Sequence, residues 1–251
     1  MLRFFRRIRQ DLLREKRFSS YLFYALGEII LVVAGILIAL QIDNWNTKKK
    51  NLDAERAYLK SLNIEFSTNL VTLENTLKEN EDLIKALDKL TGLFDPDTLE
   101  SISEKKVALF LNPLGKEVVY YPVRGVMNDI ISSGNLNLIR NSELRQKIAS
   151  FNNELKRVEN QERVASEIRA NVMQITSQNG SFAMMFADIS GNKTRVPEFR
   201  PKSNKQLFTV LELENNLELY KQVTLTTNNY FYKGLKKNIE DILHNIEKDL
   251  N

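Results

Sequence analysis

Residues 22–42 read LFYALGEIILVVAGILIALQI, and Glu28 is the only charged side chain in the run. As an α-helix rising about 1.5 Å per residue, the run measures roughly 31 Å, enough to cross the hydrocarbon core of a bilayer. Tyr21 and Tyr24 stand at one end and Trp45 just beyond the other, where amphipathic rings favour the headgroup region. A cleaved signal peptide would carry a shorter apolar part and a small-residue cleavage site before the polar residues, and the sequence has neither. The expectation is a retained transmembrane helix within 21–45, running from Leu22 to Ile42 with Trp45 at its margin. No second apolar run is long enough to span, so one crossing is expected.

Outward from this segment the charges are segregated. Residues 1–20 hold seven basic side chains against Asp11 and Glu15, a net of +5. Only Lys48, Lys49 and Lys50 follow the span closely. The excess of basic residues before the span predicts a cytoplasmic segment 1–20 and a domain 46–251 on the far side of the membrane. The chain as a whole is +4, so residues 46–251 are close to neutral. Its basic pI therefore reflects the N-terminal tip, and no nucleic-acid partner is expected. In that tip Phe4, Phe5, Ile8, Leu12 and Leu13 alternate with arginines at helical spacing, which suits either an anionic leaflet surface or a simple topology signal.

The remainder reads as mainly α, with one N-terminal transmembrane helix followed by an elongated helical bundle of long, coiled-coil-like helices. Residues 51–93 form a long helix ended by Gly92 and the Asp95-Pro96-Asp97 turn. Along it Leu52, Leu59, Phe66, Leu73 and Leu87 recur at seven or fourteen residues, with Leu70, Leu77 and Ile84 in the alternate seam. That heptad pattern is interrupted by Asn63 and Asn80 and widened by Leu62, Leu83 and Leu90. A short helix, SEKKVALFLN, should close at Asn112-Pro113, followed by an extended piece, EVVYYPV, and a turn at Ser133-Gly134-Asn135. A second long helix should begin after an N-cap at Ser142 and run to about Ser177, with Ile148, Phe151, Leu155, Val158, Ile168, Val172 and Ile175 on one face. Residues 178–204 read as a loop holding the apolar patch SFAMMFADIS, and a third helix should follow from about Gln206. Three long helices of alternating sense are expected, with 93–141 capping the distal end and 178–204 near the bilayer.

The runs FFRRIRQDLL, YALGEIILVVAGILIALQIDNWN and SGNLNLIRNSELRQKI together resemble an uncharacterised family of single-span proteins, a domain of unknown function common in Bacteroidota. The resemblance implies a bacterial inner-membrane protein, N-terminus cytoplasmic, with a periplasmic domain at 46–251. It implies no activity.

Candidate sites are few. Glu28 lies about one turn inside the cytoplasmic end of the span, where a carboxylate is costly unless it snorkels, protonates or pairs; an ion-coupling role and a snorkelling role are both open. Gly35 and Ala39 form a small-xxx-small pair that allows close helix approach. With the heptad residues Leu59, Phe66, Leu70, Leu73, Leu77, Ile84 and Leu87, it predicts a homo-oligomer. SFAMMFADIS would rest on lipid or a partner or plug the helix ends, and Lys193, Arg195, Arg200, Lys202 and Lys205 would meet lipid phosphates or solvent. The chain has no cysteine, and His244 is its one histidine, expected on an exposed helix face; no metal or cofactor is expected. Nucleotide-binding and nucleophile-elbow motifs are absent, and an enzyme is not expected.

The expected function is an oligomeric scaffold or accessory subunit of an envelope complex, with the lipid bilayer and another envelope protein as partners. Two alternatives are a periplasmic ligand-sensing module and a subunit of an ion-coupled assembly using Glu28. The topology is directly testable: a reporter fused after Asn251 that is active only outside the cytoplasm should be active, and one active only inside should be silent.

Overall fold

The computed structural model describes residues 18–191 and 203–250. The tip up to Arg17 lies outside the described residues, as do Asn192, Lys193, Arg195, Pro197, Arg200, Pro201 and Lys202 and the side chains of Tyr21 and Tyr24. The chain is 90% helical, with eight α-helices and no strand among the described residues.

Helix α1 spans Phe18–Thr91, 74 residues without interruption. The span and the heptad region were expected as separate helices, but no glycine or proline stands between Gly35 and Gly92 to stop the first of them. Lys48–Lys50 are therefore interior helix residues, fully tolerated there. The chain divides into two compact units, Met1–Arg56 and Ala57–Asn251. In the first, the apolar part of α1 is bare: the side chains from Leu22 to Trp45 are almost all exposed, and none of its most apolar window is buried. It is one helix long and apolar enough to cross a membrane, near the N-terminus.

The second unit begins with the rest of α1. A 3-10 turn, Gly92–Phe94, leads to α2, Pro96–Ser101, which is capped by Asp95 through the Thr98 amide at 3.1 Å and has proline in its first turn. Helix α3, Glu104–Leu111, is capped by Ser103. After the 3-10 turn Asn112–Gly115, the segment 116–124 has no regular structure and leads into α4, Gly125–Ser132. Gly134 then adopts φ 75°, the left-handed conformation for which glycine is suited, and a 3-10 turn follows. Helix α5 is Ser142–Asn179, with Asn141 rather than Ser142 as N-cap, accepting from the amides of Glu143 and Leu144. The patch expected as loop is partly helix α6, Phe182–Ser190, because Ser181 caps it and its apolar residues find neighbours on α3. Helix α7, Leu211–Thr226, passes through a π-helical turn, Thr227–Tyr232, into α8, Lys233–Leu250.

The sense of these helices differs from the expected alternation. Along α1, Tyr58 meets Asp129 at 3.1 Å, Asn69 meets Val123 at 2.7 Å, and Glu79 meets Lys116 at 2.5 Å. The connection thus runs back beside α1 instead of capping its end, and α5 starts where the domain part of α1 starts. Helices α1 and α5 are parallel: Leu59–Leu77 pack with Leu144–Val158, and Leu83–Leu93 pack with Ile168–Ile175. The third rod is antiparallel to both, since Lys221 pairs with Asp88, Lys236 with Glu74 and Asp241 with Lys147. Residues 181–190 and 204–209 accordingly gather at the Leu90 end of α1 and the 3-10 turn after it. There Gly180 permits a close approach, because a Cβ on it would lie 2.9 Å from Leu207 Cδ1.

The buried seam of α1 reads Leu59, Leu62, Phe66, Asn69, Leu73, Thr76, Asn80, Leu83, Leu87 and Leu90, alternating steps of three and four. One line of the expected heptad is right. In the other, Leu77 is buried but Leu70 and Ile84 are half-buried, and Leu62, Leu83 and Leu90 occupy the interior. Asn63 is half-buried and accepts the Ser67 hydroxyl at 3.4 Å. Leu59, Phe66, Leu73, Leu77 and Leu87 are buried within their own chain, so they are not available to a second copy. Phe66 packs edge-on to Phe151 with ring centroids 5.0 Å apart. We expect Phe66→Ala to cost about 3–5 kcal/mol. Ile64→Ala, 70% exposed on the same helix, should stay within about 0.5 kcal/mol. Chemical denaturation of the full chain in detergent, followed by circular dichroism, measures both.

Candidate functional site

The interior is two apolar clusters rather than one. Between and beside them lie buried polar side chains that the sequence reading did not single out: Glu65, Asn69, Thr76, Glu162, Thr227 and Asn228. Asn80, noted as a seam interruption, is among them, and its amide donates to the Thr224 carbonyl at 3.2 Å.

Three of these groups serve the backbone of the returning connection. Glu65 accepts from the amides of Val126 at 2.7 Å and Met127 at 3.0 Å. These are first-turn amides of α4, whose own N-cap position, Arg124, contributes no side-chain bond. A carboxylate there meets both unpaired N–H groups and the positive end of the helix dipole. Asn69 pairs with Val123 in both directions, accepting its N–H and donating to its C=O, each at 2.7 Å. One amide side chain thus does for Val123 what a neighbouring strand would do. Glu162 accepts from the Tyr120 amide at 2.8 Å and from the Tyr232 hydroxyl at 2.7 Å, both on the same oxygen.

Glu162 is the electrostatic centre of the group. It is 6% exposed, and no cation pairs with it among the described residues. Burial pushes its carboxyl above the ordinary range, and the bonds from Tyr120 and Tyr232 oppose that shift without cancelling it. Nearby Glu159 and Glu117 push the same way as burial. The Tyr232 phenol, wholly buried, is driven upward by desolvation and then by Glu162, so it stays a donor. Tyr120 is raised for the same reasons, and burial takes Tyr220 up to about 12.

Tyr232 ends the π-helical turn, where the wider winding resets the face that α8 turns inward. Thr227 of that turn bonds Gln161 on α5 at 3.3 Å. Two buried atoms, Asn228 Oδ1 and Arg169 Nε, have no hydrogen-bond partner among the described residues; the Arg169 Nη1 donates to the Leu114 carbonyl at 3.2 Å. Among the described residues no His, Asp or Glu cluster forms that would hold a metal ion. In this arrangement Glu65, Asn69 and Glu162 bond groups of their own chain.

The other sequence candidates are placed simply. Leu22, Ile42 and Trp45 are exposed on α1, Glu28 is half-exposed, and a Cβ added at Gly35 would meet nothing within 4 Å. Ala39 is exposed on the same helix, and His244 is exposed on α8. Of the polar interior, Asn69 and Thr76 were findable, because they continue the three-four spacing of Leu59, Leu62, Phe66 and Leu73. Glu162 had no comparable signal.

Residues 28–190 match a known family, described as Family of unknown function (DUF6090). The matched stretch is more than half of the chain, and the chain belongs to this family. No curated protein and no solved structure matches it. Glu65, Asn69, Tyr120 and Glu162 fall inside the matched stretch, whereas Asn228 and Tyr232 lie beyond it.

The raised Glu162 carboxyl fixes a sign. Between the ordinary value of 4.5 and the higher folded value, the native protein holds a proton that the unfolded chain releases. Stability from this group is therefore full below the ordinary value and is lost as pH rises through the folded one. Glu162→Gln keeps an acceptor for Tyr120 and Tyr232 but cannot ionise. The thermal midpoint of the variant minus that of the parent should rise as pH increases from about 4.5 to 8. A difference that is flat across that range would show Glu162 to be ordinary.

Proposed function

We propose that this chain is a single-pass protein of a bacterial inner membrane, N-terminus cytoplasmic, whose periplasmic helical bundle acts as a scaffold or accessory subunit in an envelope complex. The observation that carries the reading is the exposure of the apolar side chains of α1 between Leu22 and Ile42, a surface that lipid covers better than water. The domain half of the same helix is ordinary interior, with coiled-coil-like spacing spent inside the chain. Glu65, Asn69 and Glu162 are committed to holding the chain's own connection, which supports a structural role over a catalytic one.

The proposed assembly is homo-oligomeric, with a further envelope protein as partner. Because the buried heptad leucines are occupied, self-association would run through the span, where Gly35 and Ala39 let two helices approach. A side chain at Gly35 has open space in the single chain, so Gly35→Leu should insert and fold normally. In mild detergent the full-length parent should have a multimeric mass, and Gly35→Leu should weaken its association constant by about tenfold or more, read by light scattering over a concentration series. A parent that is monomeric throughout removes the oligomer. A scaffold should also co-elute with the same envelope protein from independent preparations; purification alone each time would count against the complex.

A further inference from the structure

The outer side of the α5–α8 pair carries two adjoining hollows. The larger, about 260 Å³, lies between Arg157 and Val158 on one helix and the stretch from Tyr230 to Asn238 on the other. The smaller, about 140 Å³, continues it toward Ile242 and shares Glu154 and Asn238 with it. The cleft exists because Gly234 has no side chain at a point where a Cβ would meet nothing within 4 Å. It also begins at the π-helical turn, to which Tyr230 and Phe231 belong, and such turns are common at functional positions.

The lining has the anatomy of a small-molecule site, an apolar floor under a polar rim. Val158 and Leu235 are buried at its base, and Tyr230 stands 77% exposed at its edge. The charges are unequal. Glu154 is the one acid in the lining of either hollow, and Arg157 holds it at 3.1 Å. Lys147 in the smaller hollow is paired with Asp241 and Glu143. Lys237 forms no ion pair among the described residues, and the half-buried Asn238 offers an amide beside it. An uncancelled cation next to an apolar floor selects for a ligand with a ring or branched body and one negative end. The volume sits just under the usual range of roughly 300–1,000 Å³ for ligand pockets, which limits that body to about one ring.

We propose that this cleft binds a small aromatic carboxylate, with its ring over Val158 and Leu235 beside Tyr230 and its carboxylate at Lys237 and Asn238. This goes beyond the scaffold reading and does not depend on it.

The test is saturation-transfer NMR on the full chain in nanodiscs, using phenylacetate, phenylacetamide and phenethylammonium as probes. Empty nanodiscs supply the lipid background. Phenylacetate should give a signal above that background, and the amide and the amine should be weaker by about tenfold in affinity. Gly234→Leu places its Cβ where nothing lies within 4 Å and removes a helix glycine, so the variant should melt no lower than the parent and yet lose the phenylacetate signal. Lys237→Glu, an exposed change, should lose it too. Equal signals from the acid and its amide, or a phenylacetate signal that survives both variants, would overturn the proposal. So would no signal above background, or a tripeptide ending in phenylalanine that binds tenfold tighter than phenylacetate, which would make the cleft a reader of chain ends.

Discussion

The structure of the domain depends on one constraint: two long helices that run parallel must be joined by a chain that travels back along their length. From Leu90 to Tyr58 that is about 48 Å at 1.5 Å per residue. Over part of this return the connection has no regular structure, and it lies against helices whose own backbone groups are already paired internally. Its buried amides need side-chain acceptors, and one left unpaired costs about 1–3 kcal/mol. Glu65, Asn69 and Glu162 supply those bonds, two from α1 and one from α5. Their spacing along the helices fixes the register of the connection, and with it the placement of Tyr120, Met127 and Ile130 in the core.

Buried polar groups also mark where the interior is divided. Asn80 on α1 and Glu162 on α5 face inward between its two parts, so the Leu59–Leu77 cluster and the Leu83–Leu93 cluster are distinct. On the third rod, Thr224, Thr227, Asn228 and Tyr232 meet this interruption. The π-helical turn falls at the same level. An extra residue in one turn rotates α8 relative to α7, which lets Tyr220 face one cluster and Tyr232 the other. Glu162 bears an electrostatic cost in this scheme. It is a buried carboxylate with two hydrogen bonds and no paired cation among the described residues, and burial, joined by Glu159 and Glu117, raises its carboxyl beyond what those bonds offset.

Much of the architecture was legible in the residues, for identifiable reasons. The apolar run 22–42 and the three helical regions follow from length and periodicity, which depend on local sequence alone. Ile148, Phe151, Leu155 and Val158 were placed on the inner face correctly, and they are buried. Direction was not legible. An amphipathic stripe states which face is inside but is the same whether its neighbour runs up or down, so the parallel pairing of α1 and α5 left no trace in periodicity. The partly misplaced seam has a related cause: Leu70 and Ile84 look like seam residues because they are apolar, while Asn69 and Thr76, the true seam positions, look like surface. Hydrophobicity stood in for burial where hydrogen bonding decided it. Glu65 and Glu162 were invisible in the same way, since a carboxylate bonded to a backbone segment far along the chain resembles any solvated helix carboxylate. The continuity of α1 was readable, given the lack of glycine and proline between Gly35 and Gly92.

The limits of the family match do not coincide with the limits of a folding unit, and packing shows why. The match ends at Ser190, before α7, the π-helical turn and α8. Both apolar clusters draw on that last part: Leu213, Leu217 and Tyr220 complete one, and Tyr232, Leu235, Ile239, Ile242 and Ile246 complete the other. Without them Phe66, Leu73, Leu87, Phe151 and Ile168 would lose a covering face. Burying a large apolar side chain contributes roughly 1.5–3 kcal/mol, so uncovering several together is comparable with the whole stability of about 5–15 kcal/mol that a domain usually has. Glu162 would also lose the Tyr232 hydroxyl, leaving a carboxylate with the Tyr120 amide as its remaining bonded donor. The third rod is therefore part of the core that the matched helices need, and the compact unit runs from Ala57 to the end of the chain.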